Sequence, residues 1–141
     1  MFMKLLAPLD LTEPELTKIG IDEGIALAKV SRGSLRLLYV QFFLPAACAD
    51  YVPTNFGEQL RLATEQHIAE VADQIDYTPE RVSTAVRFGA IYPEVLAEAN
   101  EWAADLIVLG SHQPSMARYL IGSNASMIVR HAKCSVLVVR R

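Results

Sequence analysis

One stretch near the carboxyl end of the chain carries residues suited to holding an anion. Gly110-Ser111-His112-Gln113-Pro114 leads through residues 115–121 to Gly122-Ser123-Asn124. Two glycines thus bound a loop that carries hydroxyls at Ser111 and Ser123. A glycine lets a ligand approach the backbone, and serine is a helix-capping residue. The unpaired N–H groups and the dipole of a helix opening there favour negative charge. The spacing fits a phosphate cradle, and it fits an ordinary glycine-bounded loop and helix cap equally well. It is neither GxxxxGK(S/T) nor GxGxxG, and no lysine stands where it would neutralise a β- or γ-phosphate. Arg118 lies inside the loop, where its charge can reach phosphates. Arg130 falls late in the following helix, where a cation simply complements the dipole.

Two other short stretches follow apolar runs, Pro8-Leu9-Asp10 and Tyr39-Val40-Gln41. Asp10 either contacts a ligand or caps the turn into the next helix. His112 has the chemistry of a general base, but a lone histidine beside a loop is more often a hydrogen-bonding surface residue, and no triad partner is near it in sequence. Without a visible metal-binding carboxylate pair or positioned base, catalysis beyond slow hydrolysis is not expected. Cys48 and Cys134 form no CxxC pair, and three histidines lack ligand spacing. A structural zinc is therefore not expected, and a reducing compartment is. His67 and Trp102 read as packing residues with a polar edge, and Cys134 as a small hydrophobe.

The elements that must position these residues alternate. Met3–Leu9 is a continuous apolar run, the mark of a strand covered on both faces. Thr12 as cap, Pro14 and Glu15 open a helix whose apolar stripe is Leu16, Ile19, Ile25, Leu27, Ala28 and Val30. Ser31-Arg32-Gly33-Ser34 ends it, and Leu35–Val40 is a second strand. Residues 42–56 have no clear period and read as a long excursion. A helix resumes around Gly57, with Leu60, Ala63, His67, Ile68, Val71 and Ile75 in phase until Thr78-Pro79 breaks it. Arg81–Phe88 alternates as a third strand, Tyr92–Ala103 is a helix with Pro93 in its first turn, and Asp105–Leu109 is a fourth strand. Gly122–Ala132 is a short helix and Ser135–Val139 the last strand. Strand–helix alternation predicts one α/β domain over 1–141, a five-stranded, mainly parallel open sheet with helices on both faces. In such sheets ligands gather beyond the carboxyl ends of the strands, where strand order reverses.

Composition agrees. Of 141 residues, 52% are hydrophobic and 21% charged, and net charge is -3, which excludes a disordered tail and gives no basic field for nucleic acid. The apolar stretch from Leu35 to Ala49 is broken by Arg36, Gln41 and Pro45, so no bilayer span is expected. Only five residues separate Lys4 from Asp10, too few for the apolar core of a signal peptide. Cytoplasm is the expected compartment. An apolar final strand at a sheet edge invites antiparallel pairing with a second copy, a two-fold homodimer through Ser135–Val139 that leaves higher assembly open.

The segment GSHQPSMARYLIGSNASMIVRHAKCSVLVVR resembles the carboxyl third of universal stress proteins, whose nucleotide-binding members carry G-x2-G-x9-G-(S/T) before a short helix and an apolar strand. RHAKCSVLVVR is the most specific piece, and the likeness extends to LLAPLD and LRLLYVQ. The resemblance implies a Rossmann-like fold of the adenine nucleotide alpha hydrolase type, a homodimer and an adenine-nucleotide pocket. In that pocket Asp10, beside Pro8 and Leu9, would contact the adenine or ribose side, and the Val40 backbone the adenine. Gly110, with Ser111, His112 and Gln113, would lie near ribose and phosphates, with Arg118 in the loop and Gly122, Ser123 and Asn124 cupping the phosphates. ATP is the expected ligand, with ADP and AMP open and Mg²⁺ arriving with the nucleotide. Gln113 replaces the second motif glycine, and eight residues rather than nine precede Gly122. A nucleotide-responsive regulatory dimer is the first expectation. The alternatives are a closed-pocket dimer acting through protein interactions and a weak nucleotide hydrolase.

Overall fold

The computed structural model describes residues 1–10, 13–42, 50–111 and 123–140, with the side chain of Ser123 left out. Its strands are β1 (Lys4–Leu9), β2 (Ser34–Gln41), β3 (Val82–Phe88), β4 (Leu106–Ser111) and β5 (Ser135–Arg140). Its helices are α1 (Pro14–Ser31), α2 (Phe56–Asp73), α3 (Ile91–Trp102) and α4 (Ser123–His131), with a 3-10 turn at Pro79–Arg81. The strands form one sheet in the order β3-β2-β1-β4-β5, and every described pairing is parallel. The α/β architecture and the edge position of the last strand are as the sequence predicts.

Continuous apolar strands are buried on both faces because their side chains alternate between two cores. Leu5, Ala7, Leu9, Leu35, Leu37, Leu106 and Val108 meet Ile21 and Ala28 of α1 and Ile68 of α2. Leu6, Leu38, Val40, Ile107 and Leu109 meet Val95 and Ala99 of α3 and Ile128 of α4. Strand order reverses between β1 and β4, so that pair forms the switch point.

Several local expectations shift. The α1 stripe holds except at its end: Ala28 is buried and Ile25 and Leu27 pack on the core, joined by buried Gly20, Ile21 and Gly24, while Val30 is 70% exposed. Small residues let this helix lie close to the sheet, so hydrophobicity alone misses the glycines on the packed face. A Cβ on Gly20 would stand 3.4 Å from the Gly110 nitrogen. The α1 N-cap is Glu13, one residue later than the predicted cap Thr12, which lies outside the described residues. In α2, Ala63 is exposed and Thr64 is buried instead, its hydroxyl donating to the Leu60 carbonyl at 2.8 Å. That helix ends at Asp73, and Ile75 packs on the core from beyond it. Of the excursion, residues 43–49 lie outside the described residues.

Strand β4 differs in a way that matters for the site. It runs to Ser111, with Gly110 paired to Val139 and Ser111 to Arg140. Gly110 is therefore a strand residue rather than the first residue of a loop. Asp105 precedes the strand, and its carboxylate accepts the Met3 and Lys4 amides at 2.8 and 3.0 Å. Asp105 thereby clamps the start of β1 to the start of β4.

Candidate functional site

Proline has no N–H to give to a ladder, and β1 carries one at Pro8. The β1–β2 ladder runs from Lys4–Ser34 to Leu9–Tyr39. The β1–β4 ladder pairs Leu5 with Leu106 and Leu6 with Ile107 at the amino ends of the strands. Beyond Leu6, the carboxyl half of β1 is not laddered to β4. An opening at the switch point is where a doubly wound sheet takes a ligand.

The first turns of α1 fill part of that opening. A Cβ on Gly110 would stand 2.2 Å from the Leu16 carbonyl oxygen, a contact no side chain tolerates. The glycine is thus demanded by helix packing, whatever else approaches its other side. Leu9 is buried in the α1/α2 core and Pro8 is half-buried, so at Leu9 only the backbone is presented to the site. Val40 buries its side chain among the α3/α4 contacts and lies one residue past the end of the β1–β2 ladder. Its backbone is the part available on that side. Ser111 and Asn124 are half-buried, and Ser123 is the first helical residue of α4. His112, Gln113, Arg118 and Gly122 lie outside the described residues.

Asp10 is exposed at the rim. Its backbone closes the turn into α1, the carbonyl accepting the Glu13 amide at 3.1 Å. Thr17 adds a double contact: its hydroxyl accepts the Asp10 N–H at 2.9 Å and donates to the Asp10 carbonyl at 2.7 Å. Nothing in the sequence singled out Thr17, because a threonine inside a helical run carries no motif. Asp10 and Thr17 also border a cavity of about 800 Å³ between α1 and α2, lined by Ile21, Ile25, Val71 and Ile75. His67 lies on its rim and is exposed, so it is not the packing residue the sequence suggested.

On the opposite face the charged residues satisfy one another. Glu98, 7% exposed, accepts from Arg36 at 2.9 Å and from Arg87 at 2.8 Å. Arg87 also reaches Glu101 at 3.0 Å and Glu94 at 3.3 Å. Hydrogen bonding to Glu101 first, then to Glu98 and Glu94, raises the Arg87 guanidinium above its ordinary value against the opposing effect of burial. Arg36 donates to Ser83 and stacks 4.5 Å from the Trp102 ring centre. Trp102 therefore packs as expected, with a cation on its ring. A cluster so fully paired ties α3 to β2 and β3 and has no group poised for acid–base work. Among the described residues no group of three or more His, Cys, Asp or Glu could hold a metal ion, and no helix is long and apolar enough to cross a membrane.

A model of the Universal stress protein family matches residues 1–140. Universal stress protein G of Shigella flexneri is 34% identical over 145 residues, covering 99% of this chain and 100% of its own. The protein of the same name from Salmonella typhimurium is 35% identical with the same coverage. Among solved structures, UspA from Lactobacillus plantarum superposes with a TM-score of 0.76 at 22% identity, covering 98% of this chain and 97% of that one. A universal stress protein in complex with cAMP gives 0.68 at 19% identity, over 98% and 97%. At those identities the two structures speak for the fold.

Proposed function

The chain belongs to the universal stress protein family, and we propose that it binds an adenine nucleotide at the carboxyl ends of β1, β2 and β4 and works as a regulatory homodimer in the cytoplasm. The observation that carries this reading is the β1–β4 ladder confined to the amino ends of its strands, with Asp10 at the rim of the opening. The Asp10 carboxylate accepts from a ribose hydroxyl or the adenine amino group. The Val40 backbone meets the adenine edge. The amino end of α4 offers backbone N–H groups and a favourable dipole to phosphates. The fold neighbour that holds cAMP supports the adenine class. ATP is the first candidate, with Mg²⁺ accompanying its phosphates, and turnover is slow at most. The edge position of β5, with half-exposed Val136, Leu137, Val138 and Val139, supports pairing of two copies there.

A second reading has an observation of its own. The space beside Gly110 is taken by α1, and Gln113 stands where the family motif has glycine. A pocket closed in this way leaves a dimer that acts through protein contacts alone.

Calorimetric titration of nucleotide-stripped protein with ATP, AMP, cAMP and GTP, each with Mg²⁺, separates the two. Saturable ATP binding near one site per chain, weaker for GTP, is the expected result. No heat up to millimolar ATP would favour the closed-pocket dimer. For the interface, amide exchange along β5 as slow as in an interior strand is expected. If every second β5 amide exchanges as fast as on the outer side of β3, that dimer is absent.

A further inference from the structure

Asp10 stands at the point where β1 has ended and α1 has not begun, a place where a backbone ordinarily keeps much of its freedom. Here it does not. The Thr17 hydroxyl holds both the amide and the carbonyl of Asp10, at 2.9 and 2.7 Å. The bonds lie on either side of one Cα and so fix the direction in which the carboxylate arm leaves the chain. Thr17 is itself anchored, because its amide donates to the Glu13 carbonyl at 3.0 Å and it lies within α1. Glu13 in turn donates to the Asp10 carbonyl at 3.1 Å. The result is a closed loop of hydrogen bonds that ties the aim of Asp10 to the axis of a helix.

From this geometry we infer that Thr17 is a positioning residue for nucleotide binding: it touches no nucleotide atom and acts by pre-orienting Asp10. The inference rests on the nucleotide-binding reading above. Its physical content is that a carboxylate already aimed at its ligand loses little freedom on binding, whereas an unclamped one must be ordered at the moment of association. A second consequence is a requirement for a hydroxyl at this position. Valine keeps the branched shape and loses both bonds. Serine keeps the bonds and loses only the methyl group. Because Asp10 is exposed, water satisfies its backbone in the valine variant, which should leave the fold intact.

The test is calorimetric titration with ATP of the wild-type chain, Thr17→Val, Thr17→Ser, Asp10→Asn and the double variant Thr17→Val/Asp10→Asn. Thr17→Val should weaken binding about tenfold, the order of the cost of immobilising one otherwise free group on association. Thr17→Ser should stay within about threefold of wild type. In the Asp10→Asn background, Thr17→Val should add little, since the group it aims has gone. A wild type that binds while Thr17→Val binds equally well overturns the positioning role and leaves the nucleotide reading intact. An equal loss in both backgrounds overturns it as well, because Thr17 would then act without Asp10. A wild type that does not bind ATP defeats the nucleotide reading and the positioning role together. Should Thr17→Val fail to fold, hydrogen exchange at the Asp10 amide of the wild type decides: protection is expected, and exchange at the rate of a solvent-exposed amide overturns the clamp.

Discussion

On the face covered by α1 and α2, the helix at the switch point is seated by missing side chains. Gly20 and Gly110 bring α1 against β4, and between α1 and α2 a cavity of about 800 Å³ stays open. On the face covered by α3 and α4, charge does the holding, with Glu98 drawing Arg36 and Arg87 onto α3. The backbone contact at Gly110 tolerates no added atom. An ion network tolerates change of shape but not loss of its central member. The candidate site borders the first kind of packing, so its geometry depends on how near α1 can come to β4.

Gly110→Ala is the sharpest way to break the first face. With the Leu16 carbonyl 2.2 Å from the new Cβ, α1 must move, at a cost of about 3 kcal/mol or more. Gly20→Ala faces ordinary contact distance across the same interface and gains helix propensity, so it should stay within about 1 kcal/mol of wild type. Urea denaturation of both variants checks this, and equal losses would mean that the approach of α1 to β4 is not what Gly110 secures.

Removing Glu98 tests the second face. Glu98→Ala leaves two guanidinium groups half-buried without their shared acceptor and should cost about 2–3 kcal/mol, discounted for their partial exposure. A loss below about 0.5 kcal/mol in the same denaturation series would mark the network as ornamental.

Much of this architecture can be read from one chain. Apolar runs such as Leu106–Leu109 and Leu37–Val40 point to strands covered on both faces, and their alternation with helical stretches leaves one sheet topology class. What escapes the sequence is whatever small or polar residues decide. The glycines of α1 carry no hydrophobic signal, so the apolar stripe omits Gly20 and Gly24 and runs on to exposed Val30. Gly110 looks like a loop residue until its pairing with Val139 is seen. Asp105, Glu98 and Thr17 act through partners more than 100, more than 10 and seven residues away respectively. No local pattern announces such pairs. At the site, Asp10 and Val40 were legible as strand ends, while the clamp on Asp10 was not.

Two smaller effects sharpen the contrast between the faces. Val71→Leu adds a methylene beside the cavity and should change stability by less than about 0.5 kcal/mol, whereas Val95→Leu, fully buried against the other core, should cost about 1–2 kcal/mol. Similar costs at both positions would mean that the cavity closes in solution. Last comes Cys134, whose thiol is raised above its ordinary 9.0 chiefly by burial. Between that value and its own, the folded chain keeps a proton that the unfolded chain has released, so stability falls as pH climbs past about 9 and is untouched below it. Denaturation midpoints at pH 8 and pH 10 should therefore converge more closely in Cys134→Ala than in the wild type. An identical fall in both would place the effect elsewhere.

The strand order has a consequence for the chain as it is made. β1 is the centre of the finished sheet, yet its neighbour on one side, β4, begins at Leu106. While the intervening residues leave the ribosome, at about 5–20 residues per second, β1 is a temporary edge bearing Leu5, Leu6 and Ala7. For several seconds this apolar strand is therefore open to any passing strand. The interval ends only when β4 docks and Asp105 closes over the amides of Met3 and Lys4.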